Sequence, residues 1–96
     1  MCTYTTEHAA ITGSGKARAG WMALTEATVY FDHPQHARAE HTLNIDLTGA
    51  GAPGDRIAVE LTAASARELV AAIERALGRV PEALLSEDLP NPGQQG

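Results

Sequence analysis

The feature that most restricts this chain is a change of hydrophobic period at Thr62. From His41 the sequence reads HTLNIDLT, in which Leu43, Ile45 and Leu47 alternate with Thr42, Asn44 and Asp46. Alternation at period two marks a strand with one face buried. Turn residues, GAGAPGD, follow at 49–55, and RIAVELT then repeats the alternation through Ile57, Val59 and Leu61. Beyond Thr62 the spacing changes. Ala66, Leu69, Val70, Ile73 and Leu77 recur at i, i+3, i+4, i+7 and i+11, which gathers them on one stripe of a helix over 63–77. Thr62 is a good N-cap, Ser65 and Glu68 form a capping box one turn later, and Gly78 is placed to stop the helix at C′.

Two more strands lie upstream. Residues 2–11, CTYTTEHAAI, are rich in Thr with Tyr and Ile and run into Gly13-Ser14-Gly15. The stretch GSGKARAG lacks the spacing of a phosphate loop, because Lys16 is not followed by Ser or Thr, and reads as a hairpin connection. In 21–33, WMALTEATVYFDH, the residues Trp21, Ala23, Thr25, Ala27, Val29, Phe31 and His33 share one parity. Met22 and Leu24 interrupt it, and a bulge near Glu26 would account for the interruption. Pro34 ends the strand.

Short connections favour neighbouring, antiparallel strands. The expected fold is therefore α+β: a four-stranded antiparallel meander, β-β-β-β-α, with one C-terminal helix packed on one face. Leu43, Ile45, Val59, Leu61, Leu69 and Ile73 would form the core between sheet and helix. Residues 1–80 make a single domain, and 81–96 a short helical turn after Pro81 followed by a mobile tail.

Composition removes several classes of function. Lys and Arg total 7 against 12 Asp and Glu, giving a net charge of −5, and Arg56, Arg67, Arg75 and Arg79 are scattered. No basic stripe forms, so nucleic acid is not expected as a partner. No apolar run approaches the roughly 20 residues that span a bilayer, so no membrane is expected. The opening MCTYTTEH has neither a basic nor an apolar signal region, and one cysteine excludes an intrachain disulfide. The expected location is a reducing cytoplasm. Aromatic residues make up 4% of the chain. A thin aliphatic core of this kind gains from pairing, so a homodimer is expected.

The chemistry-bearing residues gather in YFDHPQHARAEHTL. His33, His36 and His41, three of the four histidines, fall within nine residues, with Asp32 and Glu40 beside them. In a hairpin closed by 34–40, His33 and His41 are near cross-strand neighbours, and opposed Cβ atoms sit about 4.5–5.5 Å apart. Folding the first strand onto the second would set Cys2 opposite Tyr30 or Phe31, at the same end of the sheet, and His8 opposite Leu24, too far away to join. The candidate metal ligands are His33, His36, His41 and Cys2, a set that suits zinc or iron. Cys2 with His33 would also make a nucleophile and base pair. Asp46 and Glu60, on adjacent strands, point away from the helix, which a solvated sheet face explains more simply than acid–base chemistry. Tyr4, Tyr30, Trp21 and Phe31 would pack in the core or line a pocket between sheet and helix.

The segments MCTYTTEHAAITGSGK, GWMALTEATVYFDHP, AEHTLNIDL and VELTAASARELVAAI resemble a family of small uncharacterised bacterial proteins, a domain of unknown function. The resemblance covers about residues 1–77 and departs from the family in the longer C-terminal extension and in Met22. It implies a compact bacterial domain and brings no activity, substrate or site. The functional expectation is a small cytoplasmic protein with a His-rich transition-metal site at the hairpin between the second and third strands. The rival is a non-catalytic dimeric accessory module that binds a small-molecule ligand without metal. Nothing in the residues decides whether the chain is an enzyme.

Overall fold

A computed structural model describes residues 5–35, 38–50 and 55–86. Its elements run β1 (Thr6–Ala17), β2 (Gly20–Asp32), β3 (Thr42–Thr48), β4 (Arg56–Leu61), α1 (Ala63–Gly78) and α2 (Glu82–Leu85). The four strands form one antiparallel sheet in the order β1-β2-β3-β4. The fold is α+β, and the strand order is the expected meander.

The first hairpin departs from expectation. β1 does not end at the glycines but runs through them to Ala17, and the turn is Arg18-Ala19. Gly20 closes it with φ +127°, a conformation that side chains with a Cβ rarely adopt. The pairing is Thr6 with Tyr30 and His8 with Thr28, so His8 does not lie opposite Leu24. Cys2 itself, Tyr4, His36 and the tail at 87–96 lie outside the described residues.

The register slips between Ala10 and Gly13, opposite Glu26 and Leu24. β1 carries one residue more than β2 across this interval, so the bulge falls beside Glu26, with the extra residue on the partner strand. Its effect shows on β2, where Leu24 and Ala27 are both buried while Thr25 and Glu26 are exposed. Two inward side chains three residues apart require such a break in alternation. The sheet curls about it until the edge strands β1 and β4 touch. Ile57 and Leu24 fill the space over Gly15, where a Cβ would collide with both. Gly15, which resembled turn punctuation, thus serves close packing inside a strand.

On β3 and its neighbours the apolar face carries Val29 and Phe31, then Leu43, Ile45 and Leu47, then Ile57, Val59 and Leu61, aligned across the strands. The helix was expected to bury this face, and it does not. None of its residues is buried; Leu69 and Ile73 keep 44% and 50% of their surface. Curling lets the sheet cover part of its own apolar face, and α1 approaches mainly β3 and β4. Trp21, expected inside, is 71% exposed. The helix begins as anticipated, Thr62 Oγ1 accepting from the Ser65 N–H at 3.1 Å. It ends one residue late: Gly78 is its last residue, without positive φ, and Arg79 is the C-cap.

These burials give opposite expectations for two apolar residues. Leu24→Ala should cost about 2–5 kcal/mol, as for a filled core site. Ile73→Ala in dilute protein should cost about 1 kcal/mol or less, as for a half-exposed position. Urea titration of both variants checks the pair, and a larger loss at Ile73 would mean that α1 is docked on the sheet.

Candidate functional site

The other face of the sheet is polar by alternation, and there two elements converge. In register, Tyr30 lies beside Asn44 and Asn44 beside Glu60; Asp32 lies beside Thr42, and Asp46 beside Ala58. Side chains on one face also reach diagonal neighbours two residues along. The Tyr30 hydroxyl does so, donating to Asp46 Oδ2 at 3.2 Å, and Arg56 reaches the same oxygen at 3.5 Å. A phenol and a guanidinium thus converge on one carboxylate from opposite sides.

A cover comes from the segment after β2. The Gln35 N–H donates to Glu60 Oε2 at 2.6 Å, so this segment crosses β3 to reach β4. Beneath it lie Thr42, fully buried, and Asn44, 5% exposed, on what would otherwise be the open side of the sheet. The Thr42 hydroxyl donates to Asn44 Oδ1 at 2.6 Å, which satisfies a polar group that would be costly to bury alone. Beside them is a cup of about 600 Å³, lined among others by Tyr30, Asp32, His33, Asn44, Asp46 and Glu60. That volume falls in the range of small-molecule sites.

His33 is among the residues that line the cup, and His41 lies beside His33. His33 and His41 do come together, but as a stack, with ring centroids 4.6 Å apart and planes 30° from parallel. His41 stacks in turn against Phe31 at 5.8 Å and 12°. Stacked rings present faces to each other, whereas ligands of one ion must aim their nitrogen lone pairs at a common point. His33 Nδ1 donates to the Glu40 carbonyl at 2.8 Å, fixing the ring, and its backbone N–H donates to Asp32 Oδ1 at 2.7 Å. Among the described residues no three His, Cys, Asp or Glu side chains are grouped to hold a metal ion. His8 stands apart, near Thr28 and Glu26. The cup was legible only as alternation: Tyr30, Asn44, Asp46 and Glu60 share one parity, and Tyr30 belongs there rather than to a core.

Taken together these elements define a small α+β module with a polar cup on one sheet face and an uncovered helix on its C-terminal side. The chain belongs to DUF6295, a family of unknown function, whose model matches residues 1–86. No curated protein and no solved structure matches it. Among the described residues no helix is long and apolar enough to cross a membrane.

Partial burial, then the charge of Asp46 and the hydrogen bond to it, raise the Tyr30 hydroxyl above the usual phenol value of 10.0. Between 10.0 and that higher value the unfolded chain loses its proton first, so stability present below pH 10 declines as pH rises. Tyr30→Phe should therefore show a shallower loss of stability above pH 10 than the wild type, measured by urea titration at stepped pH. Equal slopes would mean that folding does not raise the Tyr30 hydroxyl.

Proposed function

We propose that the protein is a cytoplasmic, non-catalytic module that binds a small polar molecule carrying an amine in the cup on its polar sheet face. The observation that carries this reading is the convergence of Tyr30 and Arg56 on Asp46 at the floor of a covered, ligand-sized cup. Charge sets the ligand class. Asp32, Asp46 and Glu60 face a single guanidinium, Arg56, and three negative charges against one positive leave an excess of two before His33 is counted. Such a surround attracts an ammonium group and repels an anion. Asn44 and the Tyr30 hydroxyl add neutral hydrogen-bonding groups that orient a polar ligand. The single cysteine, which leaves no intrachain disulfide, is compatible with a reducing compartment.

Titration with putrescine, followed by amide NMR, tests the reading, with acetate and glucose as anionic and neutral controls. Saturable shifts should centre on Tyr30, Asn44, Asp46 and Glu60. Asp46→Asn and Glu60→Gln should each weaken binding about tenfold, the scale of one lost charge-assisted hydrogen bond. No saturable shift, or affinity unchanged in both variants, would defeat the proposal.

A metal at His33 and His41 is the second reading, and one observation favours it. A ring held by Nδ1–H on a backbone carbonyl, as His33 is held by Glu40, has the orientation common among metal-bound imidazoles. Zinc or iron would then be held by His33 and His41, with His36 and Cys2 as the further candidates. Elemental analysis decides it: His33→Ala/His41→Ala should lose metal that the wild type and His8→Ala retain. Equal content in all three proteins dismisses this reading.

A further inference from the structure

We propose that the tip of the β1–β2 hairpin is a docking surface for the headgroup layer of an anionic lipid membrane. β2 pairs with β3 only from Glu26 to Asp32, so beyond Glu26 the hairpin continues as a two-stranded arm. Ile57 of β4 packs over Gly15, and the last pairs of the arm lie beyond that contact. Lys16 and Trp21 are directly paired across the strands and so share one face, while Arg18 lies in the turn between them. All three are exposed, Trp21 to 71%, more than any other large hydrophobic residue among those described.

Charge selects the partner. Between Glu7 and Glu26 the sequence holds no Asp or Glu, yet it holds Lys16 and Arg18. The net charge of −5 therefore divides into +2 on this stretch and −7 elsewhere, with His neutral. Neither cation makes an ion pair among the described residues. The nearest acid along the arm is Glu26, five residues from Trp21 and so about 16 Å away along the strand. That is twice the screening length of about 8 Å at physiological salt, so Glu26 hardly offsets the attraction of the tip for an anionic surface. An indole seats at the headgroup level of a bilayer, and Lys and Arg bury their stems while their charges stay among the phosphates. Trp21 between Lys16 and Arg18 matches that layer within one small area, and the contact needs no spanning segment. Other occupants fit less well. A specific protein interface takes about 800 Å² from each partner, more than three side chains at a hairpin tip supply. Single-stranded nucleic acid needs successive aromatic platforms along a basic groove, and the tip offers one ring.

Trp21 is the chain's one tryptophan, so its emission reports the contact directly. The test mixes the full chain with vesicles of equal parts phosphatidylglycerol and phosphatidylcholine. Co-sedimentation measures the bound protein, and far-UV circular dichroism verifies that each variant is folded. Emission should shift to the blue and saturate with these vesicles, and pure phosphatidylcholine should bind at least about tenfold more weakly. Lys16→Gln/Arg18→Gln should weaken binding about thirtyfold, the worth of two cations at such a surface. Trp21→Ala should lose most of its co-sedimentation. No shift and no co-sedimentation with the anionic vesicles overturns the proposal, as does binding that survives either variant. A shift produced by oligothymidylate but not by vesicles overturns it too, by assigning the tip to nucleic acid.

Discussion

The fold depends on one extra residue in β1. An unbroken alternation along β2 would turn Leu24 and Ala27 to opposite faces. The slip between Ala10 and Gly13 brings both inward, and they are the only buried hydrophobic residues among those described. It also bends the sheet, so that Ile57 at one edge meets Gly15 at the other. Most of the tertiary burial of a small, aromatic-poor chain is thereby obtained within the sheet. Further along, the end of β3 needs similar closeness: a Cβ on Gly49 would overlap the carbonyl oxygen of Ala23.

The two faces divide the remaining work. The apolar face is shared among curl, strand neighbours and an incompletely engaged helix, so its outermost residues remain half-exposed. The polar face is better covered, because the segment after β2 ties itself to Glu60 and closes over Thr42 and Asn44. Buried polar groups on a sheet tolerate their position only with partners, and the bond between these two supplies one. The apolar packing and the polar cup are in this way assigned to opposite sides of the same strands.

Much of this was legible in the sequence, and the limits have physical causes. The alternation in HTLNIDLT and RIAVELT located β3 and β4 closely, and the period change located α1. The disturbance at Met22 and Leu24 pointed to the bulge, but strand parity could not tell which partner held the extra residue. Gly13 and Gly15 misled because both lie inside β1, where Gly15 serves a close approach rather than a turn. An amphipathic stripe announces a packing surface without saying how completely it is covered, and here the sheet leaves it half-exposed. As for the site, chemical conspicuousness drew attention to His33 and His41, whereas the cup is assembled by cross-strand register. Tyr30, Asp46 and Arg56 meet along diagonals that only the pairing reveals.

The meander has a consequence in time. Every strand pairs with the one that precedes it in the chain, so each can join a finished edge as soon as it is made, without waiting for distant sequence. Order of synthesis can be order of assembly. The last strand to arrive is β4, and it brings Arg56 and Glu60, the ion partner of Asp46 and the anchor of the covering segment. Where assembly follows synthesis, most of the sheet precedes the cup, because Arg56 and Glu60 arrive last.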